Sequence, residues 1–354
     1  MHLKILISVA LYIFPIVLFG NMAKPYVDGT FTSSIFFVND KYTVENEFID
    51  IKIYQDKAED SDKSLFAAYK ITYNINSEEN LSIPLTFIAI DLYEIKHIMV
   101  NGKKVITSEL SDDKKLPPYI KNTDGSYTIS FDNSFQHQVR LEDIAEFTSE
   151  LKKGRNTIEV AYVGKLEYNV YGFTKDYRLE YAIFPSRYWK KFGPIHLKIE
   201  LPNNLILDES NIGKAKESNN TYTWSINDLN MNHINLTFTH KRNLIQKFVL
   251  FISPLGFGIL ASIILGVIHF KLWNKYKRKY IFWIGIFIVP VIFCFVYLLS
   301  YPLIDLILDQ KYSKHGYVIL SLLFYPIYVV IYILTLGIAR LFYDAYIKNK
   351  HSIN

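Results

Sequence analysis

The sequence predicts a mainly β extracytoplasmic region followed by a C-terminal region of three transmembrane helices. Two observations predict this fold class. Apolar and polar residues alternate with period two over much of residues 24–240, as in strands with one buried face. The last third instead holds three long apolar runs without a formal charge, each long enough to cross a bilayer as a helix. We expect the β region to form one or two antiparallel β-sandwich units.

Residues 1–23 resemble a secretory signal peptide. Lys4 precedes an apolar run from Ile5 to Phe19, and the small residues Gly20 and Ala23 follow it. An anchor helix that is not cleaved is the alternative. Either interpretation places the following residues outside the cytoplasm.

Short strands separated by turn residues follow this leader. The stretches YTVENEFIDIKIY, SLFAAYKITYNI and NTIEVAYV alternate most clearly, and the pairs Asn101-Gly102 and Asp124-Gly125 are typical of tight hairpin turns. Residues 141–151 instead place apolar side chains three apart, which predicts one short helix. We divide the region into a β-sandwich of residues 24–165 and a smaller β-unit of residues 166–240, with a single elaborated sandwich as the alternative.

Residues 241–354 form the predicted membrane region, with spans at 248–270, 281–304 and 317–339. The loop 271–280, KLWNKYKRKY, carries five cations and no acid, as cytoplasmic loops do. We therefore place this loop and the C-terminus in the cytoplasm and residues 24–247 outside it. The layout favours an integral protein of a bacterial cytoplasmic membrane.

The charge distribution argues against nucleic acid as a partner. The net charge is +5, but eleven of the 39 Lys and Arg residues and three of the 34 Asp and Glu residues lie outside residues 24–247, which leaves that region at −3. The basic excess thus flanks the membrane spans and does not form a basic face on a folded domain. The one cysteine, Cys294, lies in an apolar run, so the chain has no internal disulfide.

Motifs that carry chemistry are missing from the sequence. It contains no H-E-x-x-H, G-x-S-x-G, Walker or G-x-G-x-x-G motif and no pair of cysteines. We therefore assign no catalytic, cofactor-binding or metal-binding residue. His196 and His233 lie in predicted strands and could approach each other, but a metal site would need further ligands.

A segment bounded by prolines concentrates cations and aromatic rings and is the candidate ligand or headgroup surface. A glycan, a phosphate or an anionic headgroup could bind there by ring stacking and charge. In the alternative interpretation the tryptophan fills the core while the lysines stay solvated. The candidate residues are Arg187, Tyr188, Trp189, Lys190 and Lys191.

Small residues recur every four positions in the first predicted span and form a stripe on one helix face. Such stripes let helix backbones approach closely, so we expect this face to pack on another helix. That helix could belong to the same chain, to a second copy or to another protein. The candidate helix-packing residues are Pro254, Gly258, Ser262 and Gly266.

The favoured function is binding without catalysis. The β region would bind a protein or another envelope component, while the helices anchor it in the lipid bilayer and join a membrane complex. Homo-oligomers are compatible with this layout. One alternative is an enzyme of envelope lipids or polymers in which Asp305 and Asp309 meet the basic aromatic segment at the membrane. The other alternative is an accessory subunit of a transporter.

Overall fold

The computed structural model describes residues 26–27, 31–33, 39–55, 65–90, 92–109, 120–123, 126–132, 135–309 and 315–353. The predicted signal peptide of residues 1–23 and the predicted turn at residues 124–125 lie outside the described residues. The chain divides into two compact units. Lys24–Lys241 form the β unit, and Arg242–Asn354 belong to the helical unit.

The described part of the β unit contains strands throughout and two short 3-10 segments, at Leu141–Asp143 and Phe184–Tyr188. The strands before the first of these segments are β1 (Tyr26–Val27), β2 (Phe31–Ser33), β3 (Asn39–Gln55), β4 (Leu65–Ser77), β5 (Leu81–Ile90), β6 (Glu94–Val100), β7 (Lys103–Lys104), β8 (Ser108–Glu109), β9 (Ile120–Thr123), β10 (Ser126–Asp132) and β11 (Phe135–Val139). The later strands are β12 (Ile144–Leu151), β13 (Gly154–Lys165), β14 (Glu167–Tyr171), β15 (Thr174–Ala182), β16 (Trp189–Phe192), β17 (Ile195–Glu200), β18 (Leu205–Ser210), β19 (Lys216–Ser218), β20 (Thr221–Ile226) and β21 (His233–His240).

These strands form two large sheets and one small sheet. The first sheet has the order β1-β14-β15-β2-β5-β12-β8, and β21 pairs with both β15 and β18. The second sheet has the order β19-β20-β17-β3-β4-β13-β6-β7, with β16 beside β3. The small sheet consists of β11, β10 and β9.

The strands β3, β4 and β13, in which apolar and polar residues alternate, form the centre of the second sheet. These long strands pair antiparallel from Tyr42↔Ser77 to Gln55↔Leu65 and from Phe66↔Lys165 to Ser77↔Gly154. Alternate side chains point inward, for example Ile49 and Ile71, and they belong to one hydrophobic cluster with Phe87 and Leu236 of the first sheet. The inner faces of both large sheets therefore share a core, because a period of two gives each strand one apolar face.

The strands after Leu166 complete the same two sheets. β14, β15 and β21 belong to the first sheet, and β17 and β20 belong to the second. The predicted boundary between residues 24–165 and 166–240 therefore does not separate two sets of sheets. Within the described strands, three pairs are parallel, namely β15 with β2 and both β16 and β17 with β3, and the other pairs are antiparallel. Parallel neighbours need long connections, and local sequence does not reveal which distant strands they join.

The predicted helix over residues 141–151 is wrong. Leu141–Asp143 form one 3-10 turn, and Ile144–Leu151 form strand β12, which pairs with β5 over eight residues. Leu141, Ile144 and Phe147 are apolar and lie three residues apart, and this spacing resembles the period of a helix. Tertiary pairing outweighs such weak local periodicity.

The hairpin predicted at Asn101-Gly102 is confirmed. β6 and β7 pair antiparallel across these residues, whose φ angles are 50° and 76°. Both central positions of this turn type need positive φ. The Asn101 side chain also donates a hydrogen bond of 2.9 Å to buried Asn156, whose amide in turn donates to the carbonyls of Lys152 and Gly154. Asn156 thereby fixes the connection by which the chain passes from the first sheet to the second.

Among the described residues, three helices of the helical unit are long and apolar enough to cross a membrane. They are α1 (Leu244–Tyr276), α2 (Lys279–Ile307) and α3 (Tyr325–Ile353). They contain the predicted spans 248–270 and 281–304 and residues 325–339 of the predicted span 317–339. The beginning of the third predicted span, Gly316–Phe324, is a 3-10 segment. In α1, Ser253 has non-helical backbone angles, with φ 59° and ψ 167°, and the helix is kinked at this residue, directly before Pro254.

Candidate functional site

The structure disperses the basic aromatic segment of residues 187–191. The backbone of Tyr188 ends a 3-10 turn, and Trp189 begins β16 with its ring in the core at 6% exposure. Arg187 donates a hydrogen bond to the carbonyl oxygen of Asn230, and Lys190 forms an ion pair of 3.2 Å with Glu78. Lys191 is exposed. The ring of Trp189 therefore does not reach the surface that a stacked ligand would need.

His196 and His233 lie in different sheets. His196, in β17, stacks on Phe48 of the neighbouring β3, with ring centroids 4.9 Å apart. His233, in β21, has Nε2 3.7 Å from a carboxylate oxygen of Glu180. The structure thus does not bring these two histidines together. Among the described residues, no group of three His, Cys, Asp or Glu side chains could hold a metal ion.

The outer face of the second sheet brings together side chains that the sequence analysis did not single out. Four lysines surround a shallow depression of about 300 Å³ in this face. We call this the lysine face and define it by Lys52 of β3, Lys70 of β4, Lys96 of β6 and Lys198 of β17.

Two small side chains form the floor of the depression. Ala68 of β4 lies beside Lys52, and Ala161 of β13 lies beside Lys70 in the strand register. Methyl groups at these positions leave space between the long lysine side chains. The sheet register decides this arrangement, because it aligns residues that are up to about 150 positions apart in the sequence.

Acidic residues alternate with the lysines on this face. Lys52 pairs with Glu200 at 3.2 Å and Lys198 with Asp50 at 3.6 Å. Each of these side chains is at least half exposed, so the pairs contribute little to stability and are free to exchange partners. Lys96 is exposed and forms no ion pair within the described part of the chain.

Glu159 forms the most enclosed cluster on this face. One carboxylate oxygen lies 2.8 Å from Nε2 of His97, and the other lies 3.0 Å from the ammonium of Lys70. The hydrogen bond with His97 is the main cause that lowers the pKa of Glu159 below its ordinary value, and Lys70 adds to it while burial opposes it. Glu159 therefore stays ionised and holds both partners in place at the edge of the lysine face.

An exposed aromatic pair extends the lysine face on the side of β17. Phe48 is 39% exposed and stacks on His196. The pair lies two residues along β3 and β17 from Asp50 and Lys198, on the same side of the sheet. The face therefore combines charged groups with an apolar contact, as protein-binding surfaces commonly do.

In the helical unit, the predicted stripe in α1 meets both other helices. Pro254 and Gly258 are buried, and a Cβ atom at residue 258 would lie 2.8 Å from the ring of Phe293 in α2. Gly266 faces Tyr332 of α3, at 3.6 Å from a Cβ position. Gly266 and Ser262 also line an apolar cleft between the helices.

The acidic residues after the second predicted span have local roles. Asp305 pairs with His315 at 3.2 Å, within the helical unit. Asp309 follows α2 with a φ of 53°. Deeper in the unit, Nδ1 of His269 in α1 lies 2.6 Å from the hydroxyl of Tyr332 in α3. This second contact was not predicted, because nothing local in the sequence marks a partner 63 residues away.

No family model matches this sequence, and no curated protein sequence matches it. Solved structures show distant similarity. A "putative nutrient binding protein" from Legionella pneumophila aligns at a TM-score of 0.41 and 12% identity over 60% of this chain and 72% of its own. An M1 zinc metallopeptidase from Deinococcus radiodurans aligns at a TM-score of 0.29 and 12% identity, over 56% of this chain and 42% of its own. Leukotriene A4 hydrolase from Saccharomyces cerevisiae aligns at 0.32 and 12%, over 56% of this chain and 29% of its own.

Proposed function

We propose that this chain is an integral membrane protein that displays its β unit outside the cytoplasm and binds a partner protein there. In this proposal the two large sheets form a β-sandwich, and the three helices anchor it in a bacterial cytoplasmic membrane. The lysine face is the binding surface. The single observation that carries the proposal is the ring of four lysines around the depression above Ala68 and Ala161.

The mixed charge of this face favours a protein over an anionic polymer. Asp50, Glu200 and Glu159 lie between the lysines and would repel a uniform polyanion. A protein surface can offer acids to the lysines and cations to the acids, and such complementarity provides specificity and fast association. The exposed ring of Phe48 adds an apolar contact at one side.

The extent of the face suits a small interface. Five neighbouring strands, from β17 to β6, contribute to it, and at a strand spacing of about 4.8 Å they cover about 20 Å. Surfaces of this size are typical of transient complexes rather than of permanent ones. We therefore expect a partner that binds the β unit reversibly.

Photo-cross-linking in native membranes tests the proposal. A photoreactive amino acid replaces Ala161 on the lysine face, or Thr148, which is exposed on the first sheet, as the matched control. We expect one defined protein to be cross-linked to position 161, and we expect that the same protein is not cross-linked to position 148. The double reversal Lys70→Glu/Lys198→Glu should abolish this product, while Lys216→Glu at the edge of the same sheet should leave it unchanged.

Two results would contradict the proposal. The first is an equal yield of the same product from positions 161 and 148. The second is a product that persists after the double charge reversal, since the lysines would then not contribute to recognition.

A further inference from the structure

The first and third helices are in contact at one end of the helical unit. At this end, His269 binds Tyr332, and the guanidinium of Arg340 lies 5.4 Å from the ring centroid of Trp273. Arg340 also donates a hydrogen bond to Asn274. Beyond these contacts the helices enclose a cleft of about 610 Å³. Its volume lies within the range of about 300–1,000 Å³ that is typical of small-ligand sites.

The cleft is lined almost entirely by apolar side chains from all three helices. Leu255 and Ile259 of α1, Phe293 of α2 and Ile331 of α3 are among them. None of the described residues that line it is acidic. Such a surface accommodates hydrocarbon and would be costly to leave in contact with water.

One cation lies where the cleft ends. Lys271 lines it one turn beyond Val267, is exposed, and forms no ion pair with a described residue. The segment that follows adds Lys275, Lys277, Arg278 and Lys279 without any acid. Asp344 of α3 lies near this end but already pairs with Arg340 at 3.0 Å. The end of the cleft is thus positive, while its walls are apolar.

The dimensions of the cleft suit a slender chain better than a helix. From Leu255 to Lys271 the axis of α1 rises about 24 Å. An α-helix with side chains is at least about 10 Å wide, so a segment of that length occupies about 1,900 Å³, which exceeds the total empty space of about 1430 Å³ in and above the cleft. An acyl chain is narrow enough to lie within it.

We propose that the cleft binds an anionic phospholipid, with an acyl chain along Gly266, Ser262 and Ile259 and the phosphate group at Lys271. Basic groups between transmembrane helices recognise anionic headgroups in this way. The proposal rests on the membrane placement in the proposed function, but it is independent of the lysine face. Cross-linking at Ala161 therefore tests the proposed function without testing the lipid site.

Native mass spectrometry of the full chain in detergent tests this site with two lipids that share the same acyl chains, phosphatidylglycerol and phosphatidylcholine. We expect the anionic lipid to bind more tightly. Lys271→Gln should weaken its binding about fivefold, because one lysine at a membrane surface contributes about 1 kcal/mol. Binding of phosphatidylcholine should not change. Lys247→Gln is the matched control, because Lys247 is an exposed cation at the opposite end of α1 and does not line the cleft.

A second pair of variants tests the cleft itself. Gly266→Leu should fill it and reduce binding of both lipids, whereas Gly337→Leu should not, since no atom lies within 4 Å of a Cβ at residue 337.

Equal binding of both lipids that is unaffected by Lys271→Gln would overturn the headgroup assignment. Lipid binding unaffected by Gly266→Leu would overturn the site. A dimer that dissociates in Gly266→Leu, without any effect on lipid binding, would show that a second copy occupies the cleft instead.

Discussion

The hydroxyl of Tyr181 in the first sheet donates a hydrogen bond of 2.7 Å to the carboxylate of Glu47 in the second sheet. Glu47 is fully buried, and the hydroxyl of Tyr73, its cross-strand neighbour, lies 3.2 Å from that of Tyr181. A buried carboxylate is costly unless it is hydrogen-bonded, so this contact satisfies a polar group inside an otherwise apolar core. It also links the two large sheets through side chains in their shared core.

Tyr181→Phe should therefore destabilise the β unit. The variant keeps the ring but removes a donor from buried Glu47, and we expect a loss of about 1–3 kcal/mol in the free energy of unfolding. Tyr69→Phe is the control, because Tyr69 is equally buried but its hydroxyl forms no hydrogen bond within the described part of the chain. Urea unfolding, followed by tryptophan fluorescence, measures the free energy of unfolding of both variants. Equal effects of the two variants would show that the contact with Glu47 contributes nothing specific.

Gly193→Ala should be among the most damaging small substitutions in the β unit. A Cβ atom at residue 193 would lie 1.8 Å from the carbonyl oxygen of Glu45, and the backbone of β3 cannot move aside without breaking its pairing. We expect a loss of at least about 2 kcal/mol, as in other overpacked sites.

The matched control for this substitution is Gly172→Ala. Gly172 has a φ of 58° but open space around its Cβ position, so only backbone strain of about 1–2 kcal/mol opposes the change. Comparison of the two unfolding curves distinguishes destabilisation by steric conflict at residue 193 from destabilisation by backbone strain at residue 172. A smaller effect at residue 193 than at residue 172 would contradict the packing described here.

His97→Ala should change how the stability of the β unit depends on pH. The hydrogen bond with His97 lowers the pKa of Glu159 below its ordinary value of 4.5 in the folded state. The cluster therefore stabilises the fold above that value, and this contribution is lost as the pH falls through the lower folded-state pKa.

Removal of His97 raises the pKa of Glu159 towards its ordinary value. The difference in stability between wild type and variant should thus be present at pH 7 and shrink below about pH 4. Urea unfolding across this pH range measures the difference. His196→Ala is the control, because His196 lies on the same sheet face but stacks on Phe48. A constant difference at every pH would rule out linkage through Glu159.

Gly285→Ala should disrupt the packing of α1 on α2. A Cβ atom at residue 285 would lie 2.2 Å from Nε2 of His269, so the imidazole must move and its contact with Tyr332 must break. We expect a loss of about 1–3 kcal/mol in detergent, with Gly337→Ala as a neutral control.

The double variant Gly285→Ala/His269→Ala tests the cause of this loss. Removal of the imidazole makes space for the new methyl group, so the double variant should be more stable than Gly285→Ala alone. Thermal unfolding in detergent, followed by circular dichroism, compares the three proteins. A double variant less stable than either single variant would show that the two positions are not in steric conflict.

The sequence alone determined the division of this protein into a β region and three apolar helices, because those features depend on local composition and period. The alternation around Ile49 and Ile71 and the uncharged runs after Phe248 are visible without any partner. The turn at Asn101-Gly102 was predictable for the same reason, since two residues with positive φ are a local requirement.

Only the tertiary structure decided which residues meet. Sheet register brought Lys52, Lys70 and Lys198 around one depression, and the packing of the two large sheets brought Glu47 within hydrogen-bond distance of a tyrosine 134 residues away. It also placed Trp189 in the core, where sequence reasoning had left a surface site open. Contacts between distant residues depend on how strands and helices pair. A local sequence pattern indicates which face of a strand or helix is buried, but it does not indicate which element packs against that face.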